Sequence, residues 1–347
     1  MFNMFAVFVV LLPVGCVCVN ILHIVIDDLR TEISAYNPDH KIYTPHIESL
    51  AREGIVFDRA YAQLPVCNPS RASFMTGRRP DTTQVWNLED NWRVRHQDWT
   101  SLPGMLKNEG FKSLGSGKTY HDTVQGDLND AIFQYDGRRS WSEEALPYRN
   151  PCWYEGVDCA GCPGTHWTIN NVSEDWCIRE TGDMSDVRTI EIALDLLRTA
   201  VQATKNDSTP FYLAVGLHKP HMPWIAKQEH FDLYPLETIT LSSIPTMDRS
   251  IPEIAYFGCE SPSPYEPIPD HQARLARRAY YAATTGMDEQ LGILLAALAE
   301  SGVAHETAII LHGDHGWHLG DRGEWRKNTN WDAALRTPLI IKVRERR

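Results

Sequence analysis

Apolar positions along the chain follow two spacings, and the alternation of the two sets the expected fold. Residues 20–26 (NILHIVI) and 211–217 (FYLAVGL) are short, β-branched apolar runs, which is how strands buried on both faces read. Residues 55–57, 111–114, 307–311 (TAIIL) and 339–343 (LIIKV) carry the same signal more briefly. Between them the period changes to that of a helix. Thr44 is placed to cap a helix with Pro45 in its first turn and Ile47, Leu50 and Ala51 facing inward until Gly54. Residues 70–76, closed by Gly77, and 101–108, closed by Gly110, predict two more helices. Val187, Ile190, Leu194, Leu197 and Val201 share one helical face, and 272–301 predicts a long helix with Leu291, Leu294, Leu295 and Leu298 on one side. Strands alternating with helices predict an α/β domain whose large, mostly parallel sheet is covered by helices. In such sheets ligands bind beyond the carboxyl ends of the strands.

Two stretches depart from this rhythm. Residues 1–19 (MFNMFAVFVVLLPVGCVCV) are almost wholly apolar and uncharged, and read as a secretory signal peptide. A membrane anchor takes ~20 apolar residues, so no stable membrane insertion is expected. Residues 150–183 are rich in Cys, Trp and Gly and read as a surface excursion of a single domain that spans 20–347. Of the 8 cysteines, Cys16 and Cys18 belong to the leader; Cys152, Cys159, Cys162 and Cys177 lie in the excursion; Cys67 and Cys259 stand apart. In a secreted chain the excursion cysteines favour disulfides over a zinc site, with the pairing open. Asn171 and Asn206 head glycosylation sequons.

With 347 residues, 43% hydrophobic and 22% charged, the chain is neither fibrous nor disordered. Its net charge of −12 argues against nucleic acid as a partner.

The chemistry gathers at strand ends. Asp27-Asp28 follows the first strand and Asp314-His315 follows the strand at 307–311. Alone, an Asp-Asp pair after a strand reads more readily as a turn or helix cap than as a ligand set. Two such clusters at two strand ends suit one hard divalent cation. Between them in sequence lies Cys67-Asn68-Pro69-Ser70-Arg71, with Thr76-Gly77-Arg78 behind it. This Cys-x-Pro-Ser-Arg…Thr-Gly-Arg run resembles the signature of the sulfatase family. The runs Gly77–Thr83, Gly117-Lys118-Thr119-Tyr120-His121, Gly216-Leu217-His218-Lys219-Pro220-His221 and Asp314-His315-Gly316-Trp317…Gly323-Glu324-Trp325 resemble, in the same order, its iduronate-2-sulfatase branch.

The resemblance implies an alkaline-phosphatase/sulfatase-like fold and hydrolysis of sulfate monoesters. It implies oxidation of Cys67 to formylglycine by a formylglycine-generating enzyme in the endoplasmic reticulum. It implies one Ca²⁺ held by Asp27, Asp28, Asp314 and His315 with the residue at position 67. Arg71 would orient the aldehyde hydrate, Lys118 and Lys327 would bind sulfate, His121 would move a proton at the hydrate, and His218 would protonate the leaving oxygen. Lys219, His221, Trp317 and His318 would shape the pocket. The substrate implied is the iduronate 2-O-sulfate of heparan or dermatan sulfate, in the lysosome or outside the cell. Relatives continue into a smaller C-terminal subdomain that is absent from these 347 residues, so the sequence is expected to be either a fragment or a form that lacks it. Asn68, where the family often has a smaller residue, is expected to matter little. Two rivals stay open: a same-fold hydrolase of another sulfated sugar or of a phosphoester, and an inactive relative.

Overall fold

The computed structural model describes residues 20–37, 42–121, 137–142, 185–257 and 263–343. Residues 1–19, expected to be a signal peptide, and the expected excursion's cysteines, Cys259 and the Asn171 sequon lie outside the described residues. Asn206 is exposed at the end of the Ser185–Asp207 helix, where a glycan would meet solvent.

The strands in chain order are β1 (Asn20–Ile26), β2 (Ile55–Val56), β3 (Ala60–Tyr61), β4 (Lys112–Gly117) and β5 (Phe211–Leu217), then β6 (Thr307–Gly313), β7 (His318–Leu319), β8 (Trp325–Arg326), β9 (Arg336–Thr337) and β10 (Leu339–Lys342). Six of them form one sheet in the order β2-β10-β6-β1-β5-β4. β4, β5, β1 and β6 run parallel, while β10 joins β6 and β2 antiparallel. β1 lies between β6 and β5, β5 between β1 and β4, and every residue of β5 is buried. That explains their unbroken apolar runs, because helices cover both faces. The terminal strand β10 is not a bare edge: β2 pairs with its outer side.

The Ser185–Asp207 and Asp270–Glu300 helices pack into the main core through Ile190, Leu197, Ala276, Tyr280, Leu291 and Leu294. Among the described residues no helix is long and apolar enough to cross a membrane.

Two sequence expectations change in detail. Thr44 does not cap the Pro45–Glu53 helix. The carboxylate of Asp288, reaching from the long helix, accepts from the His46 and Ile47 amides, both at 2.9 Å. A charged acceptor outcompetes a hydroxyl for the same orphan donors, and Thr44 Oγ1 is left buried without a partner among the described residues. The second helix begins at Cys67, not at residue 70. Pro69 is tolerated there because first-turn amides have no partner inside the helix. The helix closes as expected on Gly77, whose φ of +66° lets its amide reach the Ser73 carbonyl.

Candidate active site

The fold delivers four strand ends to one point. Asp27 and Asp28 leave β1, His218 leaves β5, Lys118 leaves β4, and Asp314 and His315 leave β6. Close backbone approach brings Lys118 inward. A Cβ on Gly216 would sit 2.0 Å from the Lys118 carbonyl oxygen, so only glycine fits there. The Cys67–Thr76 helix points its N-terminus at the same spot, where its amide dipoles favour an anion.

The side chains form one buried network. Arg71 is fully enclosed; its Nε donates to Asp314 Oδ2 at 3.0 Å and its Nη2 to Asp27 Oδ1 at 3.2 Å. Its Nη1 holds the Lys118 and Thr119 carbonyls. Lys118 Nζ donates to Asp27 Oδ2 at 2.5 Å. Lys327 Nζ donates to Asp28 Oδ1 at 2.7 Å and to Cys67 Sγ at 2.8 Å. Cys67 Sγ lies 3.4 Å from both Asp27 Oδ1 and His315 Nε2. Three carboxylates (Asp27, Asp28, Asp314) thus face three cations (Arg71, Lys118, Lys327). Such a balance is what lets charges stay buried.

The donor set fits a divalent cation. One ligand atom each from Asp27, Asp28, Cys67 and His315 lies within 4.8 Å of the others. Asp28 Oδ2 is buried with no hydrogen-bond partner among the described residues. His315 is oriented by its Nδ1, 2.9 Å from the Gly316 carbonyl. That nitrogen must carry the proton, so Nε2 offers its lone pair to the centre, a common outer-shell device in metal sites. Asp314 stands at the margin: its Oδ1 accepts from the Asp28 and His315 amides, both at 3.0 Å, and its Oδ2 from Arg71.

The remaining predicted residues surround this group. His218 Nδ1 is 3.6 Å from Asp27 Oδ2, and His221 Nε2 is 3.8 Å from Asp28 Oδ2. Burial, then Lys219 and Lys118, hold His218 well below the usual histidine range. Burial, then Lys118 and Arg71, do the same to His121, which is close enough to feel their charge. Lys219 turns away from the centre, donating to the His221 and Pro223 carbonyls at 3.0 and 2.6 Å. Trp317 lays its ring 5.5 Å from Lys327 Nζ, and His318 holds Thr329 at 2.7 Å.

Three contributors escaped the sequence reading. Asn68 does matter: it is buried, and its amide donates to the Asn87 and Asp90 carbonyls, both at 2.8 Å, tying an outer loop to the residue beside Cys67. Asp186 accepts from the His218 and Lys219 amides at 2.6 and 2.9 Å and so fixes the turn that carries His218. Tyr280 reaches the Asp28 carbonyl from the long helix. Asp186 reads as an ordinary first-turn acid and Tyr280 as a core aromatic, so no motif marks either.

Burial pushes the Asp28 carboxyl up to about 7; Lys327 opposes this, and Asp27 and Asp314 add to it. A folded-state value above the unfolded one means the native protein gains the proton. Without a cation, Asp28 therefore favours the fold at low pH and loses that contribution as pH rises through about 7. A cation must displace this proton. Thermal unfolding should accordingly show a larger CaCl₂-induced rise in Tm at pH 7.5 than at pH 5. Equal rises at the two values would remove Asp28 from the ligand set.

Sheet order, strand-end site and helix-borne Cys67 place the chain in the alkaline-phosphatase/sulfatase fold class. Phosphonate monoester hydrolase SpPMH from Silicibacter pomeroyi superposes with a TM-score of 0.70 at 24% identity, covering 94% of this chain and 68% of that one. The chain belongs to the sulfatase family, whose profile matches residues 19–346. It is similar to the iduronate 2-sulfatases of Mus musculus and Homo sapiens, each 35% identical over 336 residues. These alignments cover 93% of this chain and 59% of each relative, so the chain spans about six-tenths of their length.

Proposed function

We propose that this chain is the catalytic domain of a sulfatase that hydrolyses sulfate monoesters, with iduronate 2-O-sulfate of heparan or dermatan sulfate as its substrate. The observation that carries the reading is the burial of Cys67 within reach of a carboxylate cluster and of Lys327, with Lys118 on the same Asp27 carboxylate. Burial, then Asp27, push the Cys67 thiol up, so the unmodified side chain stays protonated and is a poor nucleophile. On the sulfatase pattern, residue 67 would act instead as the aldehyde formylglycine, made by a formylglycine-generating enzyme. Such an aldehyde, hydrated, would supply two hydroxyls at position 67, one as nucleophile toward sulfur and one for release of sulfate. Asp27, Asp28, Asp314 and His315 would hold Ca²⁺ beside it, which supplies charge neutralisation for the sulfate and acidifies an adjacent hydroxyl.

The chain's own residues then have distinct tasks. Lys118 and Lys327 bind the sulfate oxygens, exchanging part of their pairing with Asp27 and Asp28 for the ester. Arg71 keeps the carboxylates and the 118–119 backbone in place. His121, held neutral, accepts a proton from the hydrate. His218 serves as general acid only when loaded with a proton, and the ester's negative charge beside it raises its affinity for one. The reading supports passage through the secretory pathway to the lysosome or the cell exterior.

The test is sulfate release by the secreted chain from an iduronate-2-sulfate disaccharide and from an aryl sulfate, in CaCl₂ and in EDTA. The disaccharide should turn over faster by about 100-fold in kcat/KM, about 2.7 kcal/mol of differential transition-state binding. Equal rates would remove the substrate assignment, and no release from either would remove the activity.

A further inference from the structure

Asp28 presents its carboxylate from an unusual backbone. Its φ is +61°, in the left-handed region that a non-glycine residue enters at a cost. Such strain persists only where neighbouring groups enforce it. The Asp28 amide donates to Asp314 Oδ1 at 3.0 Å. Its carbonyl accepts from the Tyr280 hydroxyl at 2.8 Å, and the same hydroxyl accepts from the Arg30 amide at 3.0 Å. One phenol oxygen thus bridges the carbonyl of residue 28 and the amide of residue 30, closing the turn after β1. Tyr280 is fully buried in the middle of the Asp270–Glu300 helix, its ring set edge-on to Trp224 with centroids 6.0 Å apart. The clamp is therefore anchored in the core, not in the loop it holds.

We propose that Tyr280 is a positioning residue for the cation site: its hydroxyl locks the left-handed turn that aims the Asp28 carboxylate at the ligand cluster. The role rests on the reading of Asp27, Asp28 and His315 as cation ligands. Without the hydroxyl, the Asp28 carbonyl and the Arg30 amide lose their shared partner. Relaxation of residue 28 toward negative φ then swings its carboxylate away from His315 and Asp27.

Tyr280→Phe keeps the ring and removes only the clamp. Tyr281→Phe is its control. Tyr281 is the next residue of the same helix, likewise buried, and its hydroxyl donates to Glu32 Oε1 and accepts from Arg277 Nη2, both at 2.8 Å, neither of them a member of the ligand cluster. Thermal unfolding is followed against CaCl₂ at pH 7.5 for the parent chain and both variants, with calorimetric titration of CaCl₂ as a second readout. The calcium midpoint of Tyr280→Phe should rise about 10-fold or more, the usual effect of losing an outer-shell partner. Tyr281→Phe should lower Tm at every concentration and leave the midpoint in place. A Tyr280→Phe midpoint within about twofold of a calcium-responsive parent, well short of the outer-shell effect, overturns the positioning role alone. A parent chain that ignores CaCl₂ overturns the cation reading, and this role with it.

Discussion

Cys67→Ser is expected to lower kcat by about 10⁴-fold or more, the scale on which loss of a nucleophile acts. The substitution is nearly isosteric in a fully enclosed position, so the fold should survive it. What it removes is chemical. The serine hydroxyl occupies the place of Cys67 Sγ, within reach of Lys327 and beside Asp27 and His315. It can accept a sulfuryl group, but a serine carries a single hydroxyl and has no second one to expel the group. Mass spectrometry should find sulfate covalently attached to residue 67 after incubation with the disaccharide, at a stoichiometry that rises toward one while free alcohol is released only once. A variant that keeps turning over would refute the aldehyde and leave an ordinary hydroxyl nucleophile. A variant that is inert and carries no sulfate would place residue 67 outside the covalent chemistry.

The strands that frame the site were legible because burial on both faces leaves little room for polar residues. β1 and β5 read directly from NILHIVI and FYLAVGL, to the residue. The candidate site residues stood out for a different reason: they sit in local runs, with Asp27-Asp28, Cys67–Arg71, Lys118–His121 and Asp314-His315 each a few residues long. What stayed hidden depends on contacts distant in sequence. Tyr280 and Asp28 are 252 positions apart, and Asp186 and His218 are 32 apart. Each looks like an unremarkable residue of its own helix until the sheet brings the partner near. The Thr44 cap failed in the same way, since Asp288 arrives from a helix more than 240 positions away. Asn68 was undervalued because its usefulness lies in two backbone carbonyls, and carbonyls leave no trace in a sequence. The antiparallel sense of β10 was also unreadable, because strand direction depends on the path of the chain between strands and not on the strand itself.

Arg71→Met is the substitution with the largest expected cost in stability. The guanidinium is fully enclosed, and it faces the equally enclosed carboxylates of Asp27 and Asp314. Methionine fills much of the volume, so the loss is mainly electrostatic. Removing one member of a buried ion network leaves charge without compensation and costs about 3–5 kcal/mol. For a chain of this size that corresponds to a fall in Tm of roughly 4–7 °C at pH 7. The pH dependence separates this from a packing defect. In the parent, burial raises Asp27 but Lys118, His221, Arg71 and Lys327 together hold it well below the usual carboxylate range. A depressed folded-state value contributes stability above the unfolded value of 3.8, and that contribution is lost as pH falls through the folded one. The variant gives up part of it, so its deficit should be complete at neutral pH and shrink below about pH 4, as Asp27 gains a proton in either protein. CaCl₂ should recover part of the deficit at pH 7, because a divalent cation at Asp27 supplies positive charge that the arginine no longer does. A Tm within 2 °C of the parent, far less than a broken buried pair should cost, would show that Lys118 and Lys327 neutralise the cluster unaided. A deficit that stays constant from pH 7 to pH 3 would assign the loss to packing and remove Arg71 from the electrostatic frame of the site.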